Sequence, residues 1–279
     1  MPASPATTPA ATESKRLLYF LLGLIFINIF LNYLLIRPIY RPHNTDDTWS
    51  FALVYDYTIN GVTTDSIFRS VPTSLAAGGL QYFFKTHALI YGFILSSIGW
   101  TLANGHFIST GIVFLAGGVW LLIFKKIDCR REFQIVFMAL FFYLEFSFMA
   151  ANSMRPEPLL LFLQALVLYL FLLRRYFLVG LLVVIAIEIH PMGMTTLAFP
   201  MGQLLARLAQ APSASPWSRL RGEWPGIALL ACGAAAGIFF YFHLHQNSLA
   251  DTVTFLRGNT GNANPRPEKS FGSLGNYFF

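Results

Sequence analysis

The sequence predicts an all-α protein: a polytopic transmembrane helix bundle of about seven spans, with one further helix lying at the outer interface. Three observations predict it. The 279 residues are 55% hydrophobic and only 11% charged, where soluble domains carry roughly 25% charged residues. The apolar residues come in runs of helix length. The charges fall at the ends of those runs, where they orient a membrane protein, and form no basic stripe interleaved with aromatics. The net charge of +6 is therefore no nucleic-acid signature, and no nucleic-acid partner is expected. The two cysteines, Cys129 and Cys232, show neither disulfide nor zinc spacing.

Residues 1–16, "MPASPATTPAATESKR", are rich in Pro, Ala and Thr and are expected to be a disordered cytoplasmic N-terminus. The first span is Leu17–Ile36, whose length covers about 30 Å, one hydrocarbon thickness. It is too long for the apolar core of a signal peptide and is read as an anchor. Lys15 and Arg16 precede it, so it starts in the cytoplasm. An outer loop over 37–86 follows. The later apolar runs are Phe107–Phe124, Phe133–Ala151, Leu159–Leu173, Tyr176–Ile189, Met192–Leu208 and Gly226–Phe242. The basic loops "KKIDCRR" (125–131), "RR" (174–175) and the stretch 207–224 face the cytoplasm by their charge. The segments "NSMRPEP" (152–158) and "EIHPMG" (188–193) then face outward, as does a last outer loop, 243–279, which breaks off as in a fragment of a longer chain.

One segment resists the alternation. If "HALIYGFILSSIGWTLANG" (87–105) crossed, "KKIDCRR" would lie outside. It is read instead as a re-entrant or interfacial helix; eight spans with one misplaced basic loop is the rival count. On this assignment all six histidines (His43, His87, His106, His190, His243 and His245) lie at the outer boundary, as do Asp46, Asp47, Asp56, Asp65, Glu157 and Glu188. Groups able to move protons are thus gathered on one side.

Several of these residues have two readings. In "HNTDDTW", Asp46 and Asp47 suit the N-cap of a helix carrying Trp49, Leu53 and Tyr57. Alternatively one of them is a general base for an acceptor hydroxyl or amine. Holding both acids charged requires a nearby cation, Lys85 or a divalent metal. Glu157 sits where a positive helix end stabilises it, or it is a second outward acid beside Arg155. Lys85, with His87, is a snorkelling anchor or a phosphate-binding cation. His190 stands at a break made by Pro191 and Gly193, bonding a freed carbonyl or touching substrate. Asn28 and Asn32 suit helix–helix contact. "HLH" (243–245) lacks third and fourth ligands, so no metal site is assigned.

Taken in order, these pieces resemble the GT-C superfamily of polyprenyl-phosphate-sugar-dependent glycosyltransferases, in particular the protein O-mannosyltransferases and the aminoarabinose–lipid A transferases. The matching phrases are "DDTWSFALVYDYTINGV" after the first span, "YFFKTHALIYGFILSSIGW" for an interfacial helix, and "RPEPLLLFLQALVLY" after an outer turn. The likeness covers residues 17–242, which it makes one catalytic module. It departs from the family in "KTH", which lacks a Pro, and in Glu157, where Asp is common.

The resemblance implies Asp46 as catalytic base, Asp47 as its neighbour or a metal or acceptor contact, and Glu157 as a second acid. It makes Lys85 and Arg155 the phosphate-binding cations; His87 and His190 are grouped with them as substrate-binding. It also implies a bacterial inner-membrane protein with an outward-facing site, a polyprenyl-phosphate sugar donor, and a glycan, lipid or protein acceptor. The cofactor is left unidentified, a divalent metal being compatible with the acidic pair. The rival classes are a transporter or flippase for a lipid-linked or anionic substrate, another enzyme of lipid-linked glycan assembly, and a structural membrane subunit. A transporter would place its charges near the midplane on paired broken helices.

Overall fold

A computed structural model describes residues 19–20, 23–24, 26–27, 29–31, 50–55, 59, 85–209 and 216–245. Every regular element among them is helical. Helical turns at 19–31 form α1, and 50–55 form α2. Then come α3 (Lys85–Ile98), α4 (Leu102–Lys126), α5 (Arg131–Tyr143), α6 (Glu145–Ala151), α7 (Glu157–Leu172) and α8 (Tyr176–Ile189). A 3-10 segment, Pro191–Leu197, leads into α9 (Ala198–Ala209) and α10 (Pro216–His245). Among the described residues, two stretches are long and apolar enough to cross a membrane: Leu102–Lys126, and Gly222–His243 within α10. At 16 and 14 residues, α7 and α8 reach only about 24 and 21 Å, short of a hydrocarbon core of about 30 Å.

The expected single run Phe133–Ala151 is two helices. Leu144 is extended at φ −62, ψ 131, and ends α5 while starting α6. Neither Gly nor Pro marks the break, so hydropathy reads across it. The expected run Met192–Leu208 likewise starts as a 3-10 segment. By contrast, α8 has the expected ends, and α3 closes before residue 105, at Gly99, whose φ of +99 favours glycine. Asn104 fixes this corner by donating to the carbonyls of Ile98 and Gly99, both at 2.9 Å, while Thr101 caps α4 by accepting from the Asn104 N–H at 3.1 Å.

The chain divides into two compact units. The first holds α1, residues 94–98 and α4–α7. Its core is Ile29, Val113, Ala116, Phe141, Phe142, Ala150 and Ala151, with Phe114 packed against Phe26, Phe30 and Phe142. Lys125 and Lys126 fill the last turn of α4, where a helix's negative end favours cations. The α7 helix ends with Arg174 at φ 58; Arg175 N–H donates to the Leu170 carbonyl and Arg174 N–H to that of Phe171. That is the left-handed C-cap usually given to glycine.

The second unit holds residues 52–55, 85–93, α8, the 3-10 segment, α9 and α10. Helices α8 and α10 lie side by side in the same direction: Gly226 meets Tyr176, Gly233 meets Phe177, and Gly237 meets Val184. Small residues permit this backbone approach, as in membrane helix pairs.

Candidate functional site

In the second unit, an acid from one helix closes the start of another. Glu188 is the penultimate residue of α8 and only 3% exposed. Its Oε1 accepts from the Lys85 N–H at 2.7 Å, and its two carboxylate oxygens accept from the Thr86 N–H at 3.3 and 3.2 Å. These N–H groups belong to the first turn of α3, which lacks intrahelical partners and carries partial positive charge. A carboxylate is disfavoured at the C-terminal end of its own helix, so α3 supplies the compensation α8 cannot. The Lys85 side chain is buried beside it. Burial pushes the Lys85 ammonium below the ordinary lysine value of 10.5, and the Glu188 carboxylate only partly holds it up. Two residues after Lys85, His87 is 2% exposed, with its ring 4.5 Å from that of Tyr91.

His190 Nδ1 accepts from the Met192 N–H at 3.1 Å, capping the 3-10 segment; Pro191 has no N–H to offer. Gly193 is required there, because a Cβ would lie 2.1 Å from the Ala186 carbonyl oxygen.

In the first unit, Arg155 and Glu157 form an ion pair at 2.6 Å, with side chains 30% and 14% exposed. Glu157 opens α7 between Pro156 and Pro158, so it occupies the favoured helix end and the ion pair together. Around it lies a polar seam not anticipated as a site. Ser109 Oγ bonds the Ser153 carbonyl, Thr110 Oγ1 donates to the Ala151 carbonyl at 3.0 Å, and Asn152, 1% exposed, donates to Phe148 O at 3.0 Å. The Asn152 Oδ1 is buried with no hydrogen-bond partner among the described residues.

Within each unit the candidate site residues lie at one end, away from the basic turns. In the first, Tyr19 OH accepts from Arg131 at 2.6 Å, so the described start of α1 shares an end with "KKIDCRR". Gly105 abuts Met154 at the other end of α4, which is where Arg155 and Glu157 stand. In the second, the parallel course of α8 and α10 puts Glu188, His190 and His243 at one end, away from the starts of both helices.

Lys85, His87 and His190 thus belong to the second unit, Arg155 and Glu157 to the first. Asp46, Asp47 and His43 lie outside the described residues. Sequence reading missed Glu188 as the partner of Lys85 and Thr86, although one acid in the apolar run "YFLVGLLVVIAIEI" was a usable signal. Among the described residues no group of three His, Cys, Asp or Glu side chains is placed to hold a metal. Comparison with protein-family models, curated protein sequences and solved structures finds no match.

Proposed function

We propose that the chain is an integral membrane glycosyltransferase of about seven spans. It moves a sugar from a polyprenyl-phosphate donor to an acceptor on the non-cytoplasmic face, with α3 as its interfacial helix. The observation that carries this reading is the buried Lys85–Glu188 arrangement at the head of α3. The 14-residue α3 lies in the segment whose crossing would turn "KKIDCRR" outward, so loop charge, not helix length, marks it as interfacial. Glu188 is engaged by two backbone N–H groups, and burial disfavours the Lys85 ammonium more than this carboxylate restores it. A second anion at Lys85 would therefore stabilise the cation, and a lipid phosphate is an anion that arrives through the membrane. The membrane setting is supported by α10: only 11% of its apolar stretch is buried, and Phe239 is 75% exposed, which suits a lipid-facing helix. The positive-inside rule, applied to each unit separately, turns the basic turns to the cytoplasm and Glu188 and Glu157 outward.

In the proposed reaction the donor phosphate rests on Lys85, and Asp46 takes the proton from an acceptor hydroxyl or amine. The acceptor heteroatom forms a bond to the anomeric carbon as the bond from that carbon to the phosphate oxygen breaks, with inversion. The lipid phosphate departs as an anion already facing a cation, so no strong acid is needed. The test is incubation of membranes holding the full chain with a panel of labelled polyprenyl-phosphate sugars. Labelled product is expected, and Asp46→Asn should abolish it while the protein stays inserted. Full transfer by that variant removes Asp46 from the mechanism. Movement of intact labelled lipid across the bilayer without product would replace the enzyme by a flippase.

A further inference from the structure

The first unit contains a groove of about 650 Å³ between α1, α4 and α5, inside the range of roughly 300–1,000 Å³ in which pockets bury a ligand. It takes no part in the chemistry proposed above. Its walls are apolar, with Phe26 and Ile29 from α1, Leu121 from α4, and Met138 and Phe142 from α5. One end is polar: the Arg131 guanidinium donates to Tyr19 OH at 2.6 Å and lies 5.6 Å from the centre of the Tyr19 ring. Ile29 and Phe142 meet in the core at the other end, so α1 and α5 run side by side away from Arg131. From Arg131 to Phe142 a helix rises about 16 Å, roughly half of a 30 Å hydrocarbon core, which is the depth of one leaflet.

We propose that this groove holds one anionic phospholipid, an acyl chain lying along Met138 and Phe142 and its phosphate on Arg131. The proposal rests on the membrane placement argued above and is independent of the transferase chemistry. Charge selects the occupant. A purely apolar molecule would leave the guanidinium unused, whereas a guanidinium has five N–H donors, of which Tyr19 takes one, leaving a fork that matches phosphate oxygens. Arg130, Lys125 and Lys126 stand in the same turn and are exposed, adding attraction for a negatively charged leaflet. The leaflet-deep length selects a chain that ends at mid-bilayer, not a compact solute.

The experiment uses the full chain, purified in mild detergent. Carbonate extraction of the source membranes comes first: release into the soluble fraction overturns the membrane placement and this proposal with it. Delipidated protein is then exchanged into mixed micelles of phosphatidylglycerol and phosphatidylcholine, and retained lipid is counted by native mass spectrometry. One phosphatidylglycerol per chain is expected, preferred over phosphatidylcholine by about tenfold, the scale of one charge-assisted contact. Arg131→Gln should lose the preference and Arg131→Lys keep most of it. Ala139→Trp, which fills the groove and leaves the charge, should lose retained lipid of both kinds. Equal retention of the two lipids by the parent chain, or undiminished phosphatidylglycerol in both Arg131→Gln and Ala139→Trp, overturns the proposal.

Discussion

Gly233 is the position where one added methyl group tests the packing of the second unit. A Cβ there would lie 1.9 Å from the Phe177 carbonyl oxygen, 2.7 Å from its carbon and 3.0 Å from its Cα. All three are backbone atoms of α8, so no rotamer change relieves the overlap. A comfortable carbon–oxygen approach is about 3.3 Å, so the helices must part by about 1.4 Å locally. Overpacking of this kind costs about 1–3 kcal/mol. Gly118 in α4 provides the control, because a Cβ there meets nothing within 4 Å. There an alanine gains roughly 0.5–1 kcal/mol through its better helix propensity. Gly233→Ala and Gly118→Ala should therefore differ by about 2–4 kcal/mol, a separation in Tm on the order of 5–15 °C. Thermal unfolding of both variants in one detergent, followed by circular dichroism, reads the difference. Coincident melting curves would show that α8 and α10 do not touch backbone to backbone at this point.

The Glu188 carboxylate yields two further expectations. Glu188→Gln weakens the charge-assisted bonds to the Lys85 and Thr86 N–H groups and removes a carboxylate that helps hold the Lys85 charge, and should cost about 1.5–3 kcal/mol; adding Lys85→Met should recover part of the loss, and a double-mutant cycle in detergent measures the coupling. Lys85 also sets a pH dependence. Its folded pKa lies below 10.5, so between the two values the unfolded chain binds more protons and stability rises with pH. The penalty persists at all lower pH. Unfolding midpoints should climb as pH approaches 10.5, and Lys85→Met should flatten the climb; an unchanged slope would take the ammonium out of the account. His190→Ala should lose the cap on Met192 N–H at about 1 kcal/mol, with His190→Asn keeping most of it; equal melting of the two variants would deny the cap.

Local chemistry made part of this structure readable. Both ends of α8 followed from "RR" before it and "HP" after it, since the doubled basic pair marks a turn and proline restricts its neighbour. Glu157 between two prolines announced the start of α7 in the same way. The break at Leu144 was unreadable because "FYLEF" contains no breaker; an extended residue among aromatics is chosen by the packing of Phe141 and Phe142 into the core. The Lys85–Glu188 contact joins residues separated by 103 positions. Each half carried its own signal, a charge beside an apolar run, but no local pattern could pair them.

Helix polarity treats the two signs of charge differently at a helix finish. A helix that ends in Lys125 and Lys126 meets its own negative pole with cations of its last turn. An acid at a helix finish, as at Glu188, has the opposite requirement. It must borrow N–H groups from the start of another helix, and α3 provides them. Glu188 thus acts as a fastener between α8 and α3, where Lys125 and Lys126 serve the end of their own helix. A side chain that fastens α3 while sitting beside a buried ammonium is sensitive to any new anion at that point. An anion that strengthened the Lys85 charge would also tighten the Glu188 contact, so ligand occupancy and the docking of α3 should be coupled. Hydrogen exchange of the Lys85 and Thr86 amides, with and without a phosphate-bearing lipid, would measure that coupling. Greater protection in its presence is the expected result, and unchanged exchange would separate the fastening of α3 from ligand binding.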